Sequence, residues 1–186
     1  MAWEIDTAHS SVGFAVKHMM VSTVRGSFKK FEGTIHLDEQ NPAASQVDVT
    51  VDVNSIDTGD ERRDGHLKSP DFFDAATYPT MTFKSTKVEK LSDEKFRITG
   101  DLTIRGTTRQ VTLDVELTGE TRDMQGQRRA GFEVTGSISR KEFGLNWNVA
   151  LETGGWLVGD TVKLVIEAEV FEPAQATTPV AAQAQA

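Results

Sequence analysis

Four histidines, His9, His18, His36 and His66, are the side chains best suited to metal or acid–base chemistry. No two of them fall at a metal-ligand spacing such as HxH or HExxH. A site assembled in space stays open, but no close pair anchors one. The chain has no cysteine, which removes thiol catalysis and cysteine-based zinc or redox centres. Serines are plentiful without a GxSxG elbow, and no pair of carboxylates stands out from acids expected on solvated strand faces. The expectation is a protein with no catalytic residue, no metal and no cofactor.

The polar groups that do stand out are placed to bind. His18 and Arg140 each end a run of apolar side chains that share a strand face, which sets a donor at the margin of a dry interior. The alternative is that both snorkel to water at strand ends. Arg62, Arg63, His66 and Lys68 crowd one short segment and could hold a polar or anionic head group through charge-assisted hydrogen bonds. Equally, they could form a solvated helix face neutralised by Asp60, Glu61 and Asp64. Phe72, Phe73, Phe143, Trp147 and Trp156 could line a tunnel, or simply fill a core.

The elements that would position these groups are almost all strands. Ser11 to His18 puts Val12, Phe14, Val16 and His18 on one face. Val24 to Leu37 reads as a long, bulged strand pair, because Gly26 and Phe28 give way to Phe31, Gly33, Ile35 and Leu37 with shifted parity. Asp38 to Ser45 is a turn by composition. Gln46 to Ile56, Met81 to Leu91, Lys95 to Ile104, Val111 to Thr118, Phe132 to Arg140 and Val162 to Val170 alternate in the same way. The pattern is that of antiparallel sheet with one dry side. About eight such strands must close on themselves or stack to hide that side, and their length favours a deep barrel, whose interior is either filled by side chains or holds one small ligand.

One stretch breaks the alternation. Thr58 to Pro79, TGDERRDGHLKSPDFFDAATYP, carries a capping box in Thr58 and Glu61 and a second helix start at Ser69-Pro70. It is expected to be a short helical lid, cationic at one end and aromatic at the other. Residues 172–186 have no periodicity and are expected to be a disordered tail after a barrel domain over 1–171.

Composition narrows the partners. A net charge of -8 and a pI near 5.0 argue against non-specific binding to nucleic acid or to an anionic membrane. No apolar run approaches the roughly 20 residues that span a bilayer. The opening MAWEIDTAHSSVGF lacks the basic and apolar regions of a signal peptide, so a cytoplasmic location is expected.

Several separated motifs then point to one family. WEIDTAHSSVGFAVKHMMVSTVRGSF, SIDTGDERRDGHLKSPDFFDAATYP, GDLTIRGTTRQV, SRKEFGLNW and VGDTVKLVIEAEV follow one another in order from Trp3 to Phe171. In them the chain resembles the YceI family of lipocalin-like lipid-binding proteins. The resemblance implies an all-β fold, an eight-stranded antiparallel lipocalin-like barrel with a short helical lid insertion. It also implies no enzymatic activity and a tunnel for a long-chain amphiphile such as a polyisoprenoid, an isoprenoid quinone or a fatty amide. A homodimer is the assembly common among such relatives.

On this basis His18, Arg63, His66, Lys68 and Arg140 are expected at the head group. Phe14, Val16, Phe28, Phe83, Ile98, Leu102, Phe132 and Ile138 are expected along the tail, with Phe72, Phe73, Phe143, Trp147 and Trp156 completing the tunnel. The expected partner is an isoprenoid or similar lipid, bound for transport or storage. Two rivals stand beside that reading: an isoprenoid-modifying enzyme in the same tunnel, needing His18 or His66 as acid or base, and a filled barrel acting through a protein partner.

Overall fold

The alternating stretches form eleven strands: β1 (Ala2–Ile5), β2 (Ser11–His18), β3 (Ser22–Phe28), β4 (Phe31–His36), β5 (Gln46–Asp52), β6 (Ile56–Asp57), β7 (Thr80–Lys90), β8 (Lys95–Ile104), β9 (Thr107–Arg122), β10 (Arg128–Ser139) and β11 (Val158–Phe171). One α-helix, α1 (Glu61–Lys68), and short 3-10 turns at Pro42–Ala44, Val53–Ser55 and Arg140–Phe143 interrupt them. This computed structural model describes residues 2–173. The tail expected over 172–186 therefore lies, from residue 174 onward, outside the described residues. No helix among them is long and apolar enough to cross a membrane.

The eleven strands occupy eight positions of a closed antiparallel barrel. β1 and β2 lie end to end on one edge of β11, with Ile5 opposite Val170 and Ser11 opposite Glu167. β4 pairs with β1 and β3 with β2; β5 pairs with β4 and β6 with β3. The remaining positions follow in chain order through β7, β8, β9, β10 and β11. Each position is paired on both sides along part of its length; β3 from Ser22 to Gly26, β9 before Asp114 and β10 after Thr135 have a ladder partner on one side only among the described residues.

The strand pair expected over Val24 to Leu37 is corrected by this topology. β3 and β4 do not pair with each other; they are two halves of one position. The phase slip is real, and it marks where the chain leaves the ladder at Lys29 and Lys30. There Lys29 N donates to Ser55 O (3.1 Å), Lys30 N to Ser55 Oγ (3.0 Å) and Asp52 N to Lys30 O (2.9 Å). After the break Phe31 faces inward as Phe28 did before it.

The helix also begins later than the sequence suggests. Asp60 is the N-cap, its carboxylate accepting from Arg63 N at 2.9 Å. Thr58 does not cap the helix: its Oγ1 donates to Asp64 Oδ1 (2.6 Å) and its amide to the same oxygen (2.9 Å). A carboxylate one position before the helix is the stronger acceptor for its free amides. No second helix starts at Ser69. Ser69 ends α1, and the chain folds back so that Phe73 N reaches Leu67 O (3.0 Å) and Ala75 N reaches Lys68 O (2.9 Å). These bonds satisfy the last carbonyls of the helix.

Two apolar clusters mark the barrel ends. Phe28, Val53, Ile56, Phe72, Ala75 and Phe143 belong to the one under the lid; Trp3, Ile35, Ala130 and Val170 form the one at the base. Beside the base cluster Arg129 binds three carboxylates, those of Asp6, Asp123 and Glu169. Its Nη1 meets Asp6 Oδ2 (2.8 Å) and Glu169 Oε1 (2.7 Å), and its Nε meets Asp123 Oδ2 (3.1 Å). His9 Nδ1 lies 3.0 Å from Asp6 Oδ2.

The hydrogen bond with His9, and after it that from Arg129, lowers the Asp6 pKa from 3.8 to about 2; the same contact raises His9 above 6.5. Asp6 therefore contributes stability above pH 3.8 that is lost as pH falls toward 2. His9 contributes stability fully present below 6.5 and lost as pH rises through its raised value. In thermal melts, Asp6→Asn should lower the midpoint most between about pH 4 and 6.5, with the deficit narrowing on both sides. A deficit constant across the range would contradict this account.

Candidate ligand cavity

Inward side chains do not meet at the barrel axis. They leave a cavity of about 300 Å³ that runs from the lid, at Leu67, Phe72, Phe73 and Phe143, to the base, at Ile5, Leu37, Val47 and Phe132. Part of the reason is that large side chains recline on inward-facing glycines. The Phe14 ring lies over Gly26 on the adjoining strand, and the Phe83 ring lies over Gly100, each where a Cβ would collide. Gly33 and Gly136 seat Ile5 and Leu113 in the same way. A ring laid flat on the wall fills less of the lumen than one pointing across it.

Eleven of the thirteen residues expected along the tunnel line it: Phe14, Val16, Phe28, Phe72, Phe73, Phe83, Ile98, Leu102, Phe132, Ile138 and Phe143. Trp147 and Trp156 do not. In the loop from Gly144 to Leu157, Leu145 lines the cavity, but Trp147 packs edge-on to His66 (4.6 Å between ring centres) and against Phe72 (5.4 Å) on the lid side, and Trp156 is 54% exposed. Val47, Val49 and Val51 of β5, and Val162, Leu164 and Ile166 of β11, also face the cavity. Their alternation marked them as inward without singling them out.

Aromatic contacts join lid to wall. Phe73 meets Phe28 edge-to-face at 5.9 Å, and Phe28 meets Phe14 at 5.6 Å. Arg105, in the turn between β8 and β9, donates from Nη1 to Phe72 O at 2.8 Å. α1 itself buries no residue; its Leu67 lines the cavity and its His66 packs on Phe72 and Trp147, while the segment that follows supplies the buried anchors Phe72 and Ala75.

The candidate head-group residues separate into distinct places. Arg140 lines the cavity and is only 4% exposed, yet its donors are already engaged. Nε donates to Gly159 O (2.8 Å), Nη1 to Leu145 O (2.6 Å) and Trp147 O (2.9 Å), and Nη2 to Val158 O (3.3 Å) and Asp160 Oδ1 (3.5 Å). That accounts for all five N–H groups of a guanidinium. Burial lowers its pKa and Asp160 opposes the shift. Arg140 is thus a clamp between the end of β10 and both ends of the Gly144–Leu157 loop, with no donor free for a ligand.

Arg63, His66 and Lys68 come together on α1, outside the cavity wall. Arg63 donates from Nε to Thr58 Oγ1 (2.7 Å) and from Nη2 to Thr58 O (2.8 Å). His66 Nε2 lies 2.8 Å from Asp71 Oδ2. Lys68 is half-buried and enters no ion pair among the described residues. His18 ends β2 opposite Ser22 and Val158 and is also outside the wall.

One cluster escaped the sequence reading. Asp6, His9 and Glu169 bring three possible metal ligands within 4.8 Å of one another, although Asp6 and Glu169 are far apart in the chain. Both carboxylates already accept from Arg129, so a guanidinium supplies the positive charge there.

Comparison with known proteins agrees with this architecture. A YceI-like domain model matches residues 3–170. Protein YceI of Escherichia coli O157:H7 is 47% identical over 137 residues, covering 74% of this chain and 71% of that protein. Protein YceI of Salmonella newport is 42% identical over 161 residues, covering 87% and 81%. Among solved structures, the Campylobacter jejuni YCEI protein superposes with a TM-score of 0.73 at 37% identity, over 90% of this chain and 96% of that one. Burkholderia cenocepacia BcnA gives 0.78 at 29%, over 89% and 98%. A polyisoprenoid binding domain from Saccharophagus degradans shares the fold, with a TM-score of 0.64 at 16% identity over 92% and 98%. With the family model spanning the ring from Trp3 in β1 to Val170 in β11, the chain belongs to the YceI family.

Proposed function

We propose that the barrel binds a single long-chain isoprenoid lipid, of the polyprenyl or isoprenoid-quinone type, and carries or stores it without altering it. The observation that carries this reading is the cavity: closed around its circumference and lined by apolar side chains from lid to base. Its volume sits at the low end of the range for small-molecule sites, which suits one chain. Each 100 Å² of chain buried there contributes about 2.5 kcal/mol before the costs of immobilisation. The Saccharophagus degradans domain that shares the fold is named for binding polyisoprenoids, and this supports the ligand class.

The chemistry of the wall supports a non-catalytic role. Among the lining residues only Arg140 and Glu167 are ionisable. Arg140 has no free donor, and Glu167 belongs to an exposed, outward-facing position of β11. An isoprenoid-modifying enzyme would need an acid or base within hydrogen-bonding reach of the reacting atom, and neither His18 nor His66 lines the cavity. The open lumen weighs against a filled structural barrel. A polar head group is then left to the lid end, where Arg63, His66 and Lys68 sit on α1 and His18 closes β2.

The test is titration with a fluorescent polyprenyl probe. Gly26→Ala places a methyl against the tip of the Phe14 ring and tilts that ring into the lumen, so affinity should fall about tenfold, roughly 1.4 kcal/mol, with the fold retained. Unchanged affinity would contradict the reading. Lys68→Ala should weaken a probe with an anionic head group while leaving a tail of bare hydrocarbon unaffected.

A further inference from the structure

The hairpin joining β2 to β3 turns on Met19 and Met20, whose φ angles are +52° and +62°, with Val21 N donating to His18 O at 3.1 Å. Two successive residues at positive φ define the turn type that strongly prefers Asn-Gly. Methionine gains nothing there conformationally, and such outliers point to function. Both side chains face water, Met19 at 46% and Met20 at 69% exposure.

They are not alone. Of the eight large apolar side chains most exposed among the described residues, five gather here: Met19, Met20, Val21, Val149 and Trp156. Met19 N donates to Leu157 O (2.8 Å) and Leu157 N to Val149 O (2.9 Å), while the Met20 thioether lies over Gly155, beside Trp156. The loop that carries Val149 and Trp156 has ends clamped by Arg140 and holds Trp147 against Phe72 of the lid. The patch therefore flanks the lid end of the cavity.

Near this tip the outer face of the same strands carries three cations, with Glu167 farther along β11 opposite Ser11. Lys163 and Arg25 stand opposite Ala15 from its two neighbouring strands, and Lys17 follows two residues along. Ala15 is 5% exposed although it points outward, as expected beneath the aliphatic stems of such side chains. None of the three cations enters an ion pair among the described residues. The net charge of -8 conceals this local row.

We propose that the Met19–Val21 tip, with Val149 and Trp156 of the neighbouring loop, inserts into the surface of an anionic bilayer, with Lys17, Arg25 and Lys163 meeting its head groups and the exposed Glu152 of that loop staying in water. The inference rests on the lipid-carrier reading, because it sets the lid end of the cavity against the membrane from which a chain would be drawn. An amphiphilic tip with Trp and flexible apolar side chains beside lysine and arginine is the composition of an interfacial anchor. A second copy of this chain fits less well. The cations beside it, Lys17, Arg25 and Lys163, meet opposite charge on an anionic surface, whereas a second copy would bring the same cations again.

The test uses the whole protein with vesicles of phosphatidylcholine containing phosphatidylglycerol. The protein should co-float with them, lose most of that binding in about 0.5 M salt, and show tryptophan quenching by brominated acyl chains that Trp156→Phe removes. Met19→Asn/Met20→Gly restores the preferred turn, so it should melt at the same or a higher temperature while binding vesicles at least tenfold more weakly. Uptake of a fluorescent polyprenyl probe should then slow at least tenfold from vesicles and stay unchanged from ethanol solution. Uptake from ethanol without wild-type flotation would overturn the docking proposal and leave the carrier reading standing. Flotation that the double variant loses, without uptake by either route, would uphold docking and sink the carrier reading. A dimer in light scattering that the double variant abolishes would overturn docking in favour of self-association.

Discussion

Whether side chains pointing into a barrel meet at its axis decides what the barrel can do, and here they are kept apart. Alternation alone would send Phe14, Phe28, Phe83 and Phe132 inward to form an ordinary core. The glycines on neighbouring strands change the outcome, since Phe14 lies down on Gly26 and Phe83 on Gly100. The cost is real: an open apolar space forgoes dispersion contacts that a close-packed interior would make. A wall of this kind holds little attraction for water and much for a hydrocarbon chain.

Both ends of the lumen depend on an arginine whose charge is used within the protein. At the lid, Arg140 gathers four carbonyls and Asp160 and so fixes the loop beside the entrance. At the base, Arg129 joins Asp6, Asp123 and Glu169 across the break between β1 and β2. Removing one partner from the buried, fully engaged Arg140 set costs more than the set contributes net, because the remainder is left unpaired. No buried side-chain nitrogen or oxygen among the described residues lacks a partner. The polar groups thus shape the cavity without entering the chemistry of its wall.

Much of this was legible from residues alone. Period-two alternation placed Ile98, Leu102, Phe132 and Ile138 on the inner face because a strand has only two faces to choose between. The parity slip between Phe28 and Phe31 announced a bend, though it could not say that β3 and β4 share one position, since that depends on which strands each meets. Helix capping was misread at Thr58 because Asp60 competes locally and sequence spacing does not rank the two. The Arg129 network joins residues up to 123 positions apart, and no short-range pattern encodes it. Arg140 ends its inward run at the interior margin, but whether its donors face a ligand or the chain depends on the loop from Gly144 to Leu157, which has no periodicity to read.

The central claim is that this cavity holds a long isoprenoid chain. Native mass spectrometry of the freshly purified protein, followed by organic extraction and identification of what is released, tests it most directly. The account predicts one isoprenoid lipid per chain, recovered intact in the extract. A protein mass that carries no ligand, and that stays unchanged after incubation with polyprenyl lipids and isoprenoid quinones, would contradict it.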